Sequence, residues 1–298
     1  SDLTMVILNG QSVPVFFNDG DSFRVLGGSM KGAKARLAGY NTLESHGAVH
    51  SWGGWTVKEM YVLAKMATLH ARKGKWTCKS DGKTDTYGRM LTFCPGLRHE
   101  LVRLGLAHAM TITDDPSDAK LLAAQKEAME AKRGIWAHGT PAFVLTSLHS
   151  VEEDLSGKGT YNRLVSTADG HSVKWKHNNK YEECENVCHY EYSADESEID
   201  FAKVQAAIVK FFMKSDKDLA KHVKGMGNDE LRSMVMDFAR YRHANRTIPK
   251  KKRHKLTAFM KNLAKKGAFG DQDKKKGSCM VHVPFERRFG GTRAECLK

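Results

Sequence analysis

The chain has 298 residues, 41% of them hydrophobic and 28% charged, with a formal net charge of +14. That length holds two domains, or one with a large extension, and the apolar share is enough for a real core. No run approaches 18 consecutive apolar residues, which excludes a membrane-spanning helix as the reading of any stretch.

Met5–Leu8 and Val13–Phe17 are short apolar runs separated by Asn9-Gly10, a strong hairpin-turn signal. Asn18–Asp21 is the next turn, Ser22–Leu26 alternates as a strand, and Ala33–Leu37 follows a glycine-rich turn as the third long strand. Turns at this spacing predict a small closed barrel. Trp55–Arg72 carries Val57, Met60, Tyr61, Ala64, Ala67 and Leu69 at roughly helical period and stops at Gly74. Lys75–Ser80 and Arg89–Cys94 read as paired strands, and Arg98–Leu106 and Asp118–Lys132 as helices. The predicted order is β-β-β-α-β-β-α-α.

Beyond the junction at Gly139 and Pro141, Phe143–Thr146 and Tyr161–Thr167 are expected as strands, with Asp169-Gly170 turning into His171–His177. His171, His177 and Asn178-Asn179 form a candidate second centre; the plainer reading is a polar hairpin beside the barrel. Residues 197–266 read as helical. Ile199, Phe201, Val204, Ile208, Phe211 and Phe212 share one face, and Asn228 is placed as the cap of a helix over Asp229–Ala244. A last helix opens at Ile248-Pro249, and one face of it carries Lys250, Lys251, Lys252, Arg253 and Lys255. Residues 201–298 hold 25 Lys and Arg against 9 Asp and Glu, a net of +16, whereas residues 1–200 hold 23 against 25, a net of −2. A basic stretch of that strength predicts a polyanion partner, the five cations above being its nucleic-acid contacts. A merely solvated surface is the bland alternative. The expected division is a barrel over 1–140, a connecting β-rich segment over 141–195 and a basic helical region over 196–298.

Six cysteines fall into three couples, Cys78 with Cys94, Cys184 with Cys188, and Cys279 with Cys296. Local couples in even number predict disulfides. The Cys184-x3-Cys188-His189 spacing with His177 leaves zinc as an alternative for one of them. The couples, and a chain that starts at Ser1 without methionine, lead to the expectation of processing and a secreted or periplasmic location.

Three loops carry the chemistry. Asp19-Gly20-Asp21 ends one hairpin, Arg36 closes an apolar strand before Asn41, Thr42 and Glu44, and Tyr87-Gly88-Arg89 precedes another strand. If they meet, they offer oxygens for a hard cation, guanidinium forks for phosphate and a carboxylate to activate water. That set suits a phosphodiester.

With Ala35-Arg-Leu-Ala-Gly39, Leu101–Ala107 and Lys132–Trp136 added in the same order, residues 13–136 resemble the staphylococcal-nuclease (thermonuclease-like) family. The resemblance implies an α+β fold: a five-stranded OB-type barrel with three helices. It implies a Ca2+-dependent, sugar-nonspecific nuclease acting on DNA and RNA and leaving 3′-phosphate and 5′-hydroxyl ends. It further implies Arg36 and Arg89 as phosphate-binding catalytic residues, Glu44 as general base or water organiser, and Asp21, Asn41 and Thr42 as the metal set. Asn41 departs from the family, which commonly has aspartate there, and Leu43 stands where proline is frequent. An asparagine keeps the carbonyl oxygen and loses the charge, so weaker metal binding is expected. That departure keeps alive a rival, a weak or inactive nucleic-acid-binding protein on the same barrel. The basic tail keeps alive another, a polycation adhering to anionic surfaces.

Overall fold

A computed structural model describes residues 3–43, 48–51, 55–147, 160–177, 190–242, 247–276 and 279–284. In chain order its elements begin with β1 (Thr4–Leu8), β2 (Gln11–Asp19), β3 (Ser22–Val25), β4 (Lys34–Leu37), β5 (Tyr40–Thr42) and β6 (Ala48–Ser51). There follow α1 (Val57–Lys73), β7 (Trp76–Thr84), β8 (Met90–Phe93), α2 (Pro95–Arg103), β9 (Ala107–Ala109) and α3 (Ala119–Glu130). Then come β10 (Phe143–Ser147), β11 (Thr160–Ser166), β12 (Ser172–His177), β13 (Tyr190–Tyr192), α4 (Phe201–Ser215), α5 (Lys217–Lys224), α6 (Asn228–Tyr241), α7 (Arg253–Lys265), β14 (Lys274–Lys276) and β15 (Cys279–Pro284).

The contacts divide the chain into two units, residues 1–187 with 278–298, and residues 188–277. Residues 141–177 thus share a unit with the barrel, and β15 returns to it from the far end of the chain. This differs from the expected division at 140 and 195.

The barrel closes in the order β1-β2-β3-β4-β8-β7, six strands where five were expected. Asn9 and Gly10 both adopt positive φ (50° and 84°), the two-residue turn that matches strand twist, and they set Leu8 opposite Gln11. The sixth strand arises because β1 pairs on both edges, antiparallel to β2 and parallel to β7. Alternation decides the faces: Val13, Val15 and Phe17 of β2, Phe23 and Val25 of β3, and Ala35 and Leu37 of β4 all point into the core. A bulge between Phe17 and Asp19 frees the Phe17 carbonyl, which accepts from Arg72 Nε and Nη2 of α1 at 3.1 and 2.7 Å. Helix α1 starts at a capping box in which Thr56 and Glu59 exchange hydrogen bonds.

Cys78 and Cys94, both buried, form a disulfide that fastens β7 to the start of α2. Cys184, Cys188 and Cys296, and the side chain of Cys279, lie outside the described residues. The Leu101–Ala107 and Lys132–Trp136 motifs meet at Gly105 (φ 71°) and Gly134 (φ 53°). A Cβ on Gly105 would lie 2.3 Å from the Arg133 carbonyl oxygen, and one on Gly134 would lie 2.2 Å from that of Gly105, so both positions need glycine. Outside the barrel, five strands form a sheet in the order β12-β11-β10-β15-β6, and β5 pairs with β9 and β13 with β14.

In the second unit, α4–α7 enclose a core that includes Val204, Ile208, Phe212, Val223, Met234, Phe238, Leu256 and Phe269. Asp200 caps α4 and Asp216 caps α5. Two boundaries shift. Gly227, not Asn228, takes the N-cap position of α6, which ends at Tyr241 because Arg242 turns left-handed. The stretch after Pro249 is a short 3-10 turn over Lys250–Lys252 before α7 begins. Among the described residues, no helix is long and apolar enough to cross a membrane.

Candidate active site

The alternation that sends Phe17 inward continues past the bulge to Asp19, so the turn into β3 buries two carboxylates, Asp19 at 8% and Asp21 at 1% exposure. Tyr40 of β5 donates its phenol hydrogen to the Gly20 carbonyl at 2.7 Å. A Cβ on Gly20 would sit 2.6 Å from Thr42 Cγ2. The turn is therefore clamped against β5, and glycine is what lets it approach.

The β3–β4 register sets Ser22 opposite Arg36, next to Asp21. Arg36 Nη1 lies 2.6 Å from Asp21 Oδ2, and the Thr42 N–H donates to the same oxygen at 3.1 Å. Burial pushes the Asp21 carboxyl up. The charge of Arg36 and hydrogen bonds with Asp19, Arg36 and Thr42 outweigh it, holding Asp21 below the usual carboxylate range. The Tyr40 phenol is pushed well above its ordinary value by burial and by the Asp21 charge.

Asn41 pairs with His108 across the β5–β9 ladder. His108 is 1% exposed, and burial pushes its imidazole down to about 4, so the ring is neutral. Its Nδ1 lies 3.1 Å from the Ala109 carbonyl oxygen, and its Nε2 lies 3.0 Å from Asn41 Nδ2. Only one tautomer satisfies both contacts: Nδ1 donates, and Nε2 accepts from the amide. One Asn41 amide hydrogen is thereby held by His108, which fixes the amide's orientation and turns its side-chain oxygen away from the ring. Gln125 of α3 steadies β9, accepting from the Ala109 N–H at 2.6 Å and donating to the Thr167 carbonyl at 2.7 Å.

Arg89 precedes β8, which runs parallel to β4 with Leu91 beside Arg36. Two residues from Leu91, it falls on the same face as Arg36. Asp85 cradles it: Oδ2 accepts from Arg89 Nε at 2.7 Å, and Oδ1 from the Arg89 and Tyr87 N–H groups at 2.9 Å each. Burial raises the Asp85 carboxyl, but these hydrogen bonds hold it below its ordinary value. With Nε committed, Nη1 and Nη2 are the guanidinium nitrogens left for a phosphate.

Of the predicted residues, Asp21, Arg36 and Thr42 are joined by an ion pair and a hydrogen bond, Asn41 is the neighbour of Thr42 on β5 and contacts His108, and Arg89 immediately precedes the strand beside Arg36. Glu44 lies outside the described residues. His108, Asp85 and Tyr40 escaped the sequence reading. A histidine inside the apolar run Leu106–Met110 and an aspartate four residues before Arg89 were the available signals. Oxygen type and burial suit a hard cation here: Asp19 and Asp21 crowd together, and the buried Thr42 Oγ1 has no hydrogen-bond partner. Among the described residues no three His, Cys, Asp or Glu side chains form a metal centre by themselves. Any cation would draw on the amide and hydroxyl oxygens of Asn41 and Thr42 beside the carboxylates.

The predicted basic cluster is partly consumed in the second unit. Lys252 and Lys255 Nζ lie 2.7 and 2.8 Å from Asp216 Oδ2 and, with the Leu219 N–H, hold that carboxyl far below its ordinary value. Arg253 Nε donates to the Ile248 carbonyl at 2.7 Å. Lys250 and Lys251 are exposed. Of the candidate second centre, His171 pairs with Asp169 at the β11–β12 turn, while Asn178 and Asn179 lie outside the described residues.

Residues 34–138 match the family model described as staphylococcal nuclease homologue, SNase. No curated protein matches the chain.

Proposed function

We propose, from the SNase match over residues 34–138 and the cluster at the barrel's end, that the protein is a divalent-metal-dependent nuclease. It hydrolyses phosphodiesters of DNA and RNA with little sequence preference. The observation that carries the reading is the buried Asp21 carboxylate gripped by Arg36, with the Thr42 N–H on the same oxygen and Arg89 on the adjoining strand.

Asp21, Asn41 and Thr42 supply the oxygens that would hold Ca2+, which when bound withdraws charge from the phosphate. Arg89 presents Nη1 and Nη2 to the scissile phosphate, steadied through Nε by Asp85, and Arg36 supplies a second guanidinium; both offset charge that grows at the transition state. Glu44 takes the proton of the attacking water. The new O–P bond forms as the P–O5′ bond breaks, and O5′ takes a proton from solvent water, leaving 3′-phosphate and 5′-hydroxyl ends. The disulfide between Cys78 and Cys94 supports an oxidising compartment, hence secretion or a periplasmic location.

Plasmid DNA and RNA incubated with calcium, then with chelator, test this. Cleavage of both that stops on chelation, with ends that a 3′-phosphatase converts, is expected. Intact substrates that are nonetheless shifted on a gel would mean the rival, a binding protein on the same barrel. One observation favours that rival: Asn41 leaves Asp21 and Asp19 as the only carboxylates of the described metal set.

A further inference from the structure

The second unit contains a cavity of about 510 Å3 walled by Tyr192 of β13, Tyr241 and Arg242 at the end of α6, Lys261 and Lys265 of α7, and Lys274 of β14. Its volume lies within the range of small-ligand sites. Four of these residues are cations, and among the described residues no carboxylate lines the cavity.

Arg242 is built into the wall. Its backbone is left-handed (φ 59°, ψ 31°), a conformation uncommon for a residue with a side chain. Its guanidinium lies 3.7 Å over the Tyr192 ring and donates to Gln272 Oε1 at 2.6 Å and to the Ala239 carbonyl. Gln272 is itself fixed by donating to the Ser193 and Ala239 carbonyls at 2.8 and 2.9 Å. Every one of these partners is neutral, so they orient the charge of Arg242 without cancelling it. One helical turn apart, Lys261 and Lys265 are exposed at the rim. Of the five cations named as nucleic-acid contacts from the sequence, Lys252 and Lys255 are bound to Asp216.

Cations alone would suit any anion. Two tyrosine rings in the same wall add flat apolar faces, and phosphate beside a flat face is the chemistry of a nucleotide. We propose that this cavity binds one nucleotide unit of single-stranded nucleic acid. Lys261, Lys265 and Arg242 take the phosphate, and the base lies against Tyr241, while Tyr192 backs the Arg242 guanidinium. The site goes beyond the nuclease reading, because binding here requires neither metal nor cleavage.

The test is fluorescence anisotropy of a fluorescein-labelled twelve-residue oligothymidylate with the full chain in chelator. Lys261→Glu with Lys265→Glu is expected to weaken binding about ten-fold or more, whereas Lys250→Glu with Lys251→Glu changes it less than about three-fold. Tyr241→Leu is expected to weaken the oligonucleotide about five-fold or more while leaving inorganic polyphosphate, used as competitor, unchanged. Circular dichroism checks that each variant is folded. Wild-type affinity in the Lys261/Lys265 variant, or equal losses in the two lysine pairs, overturns the site. Equal weakening of polyphosphate by Tyr241→Leu, or no effect of it on the oligonucleotide, overturns the nucleotide assignment. A chain that passes these tests but cuts nothing with calcium refutes the nuclease reading alone.

Discussion

Replacing Arg36 separates what its charge does from what its shape does. Asp21 is almost wholly buried, and Arg36, with 18% of its side chain exposed, sits 2.6 Å from it. In Arg36→Met the carboxylate keeps only its bonds to Thr42 and Asp19. Removing one partner of a buried pair costs about 3–5 kcal/mol, and the partial exposure of Arg36 argues for the lower end, about 3. For a unit of this size that is about 6–12 °C in melting temperature at pH 7. The Asp21 carboxyl is depressed in the folded state. Its stabilisation is therefore present above the unfolded carboxylate value of about 4 and is lost as pH falls through the folded value. The gap between wild type and Arg36→Met should close in acid. Arg36→Lys keeps a positive charge near Asp21 and should recover most of the melting temperature, yet cleave about a hundred-fold or more slowly, since a point charge does not replace a fork. Calorimetry in chelator across pH and digestion in calcium read the two effects apart. An unchanged melting temperature in Arg36→Met refutes the buried-pair argument, and near-normal cleavage by Arg36→Lys refutes the phosphate role.

Arg89→Ala should lower turnover by several orders of magnitude with a stability loss under about 1 kcal/mol, because its pair with Asp85 is partly exposed; a folded variant that cuts normally refutes the mechanism. Asn41→Asp should tighten calcium binding, read by calorimetric titration, and raise the His108 pKa, read by NMR, because a carboxylate would then face Nε2; unchanged calcium binding puts Asn41 outside the metal shell, and an unchanged His108 pKa refutes the Asn41–His108 contact. Wild-type stability should fall as pH drops from about 6.5 to about 4, where the unfolded chain protonates a histidine that the fold keeps neutral, and His108→Gln should flatten that part of the profile. Truncation after residue 196 should lower melting temperature and rate together, because it removes β15 from between β10 and β6 along with the basic tail; a truncated chain of unchanged melting temperature counts against that sheet.

The barrel was legible because its strands alternate and its turns carry Asn-Gly and Asp-Gly, local signals that the tertiary structure did not override. The Cys78–Cys94 bridge followed for the same reason, since adjacent strands bring the couple together. What stayed hidden depends on pairing across distant segments. β15 joins residues 279–284 to β10 and β6, which no local pattern announces. His108 matters only because the β5–β9 register sets it opposite Asn41. The basic run misled in part because sequence shows charge and not its partner: Asp216, 36 residues before Lys252, takes up two of its lysines.

On the proposed function, the distribution of charge along the chain sets how it meets a polyanionic substrate. Around the site, Asp21 is matched by Arg36 and Arg89 by Asp85, and the Asn41–His108 pair is neutral on both sides. Residues 1–200 carry a net −2, so this part of the chain offers a polyanion little long-range attraction. Each Lys or Arg that neutralises a phosphate steepens the salt dependence of binding by roughly one unit in log–log slope, and residues 201–298 hold 25 of the 48 Lys and Arg but only 9 of the 34 Asp and Glu. On the proposed function, capture and cleavage would have separate electrostatic sources. The barrel's charges, held in local pairs, would serve one phosphate, while the cations of the helical unit would set how tightly, and at what salt, the strand is held.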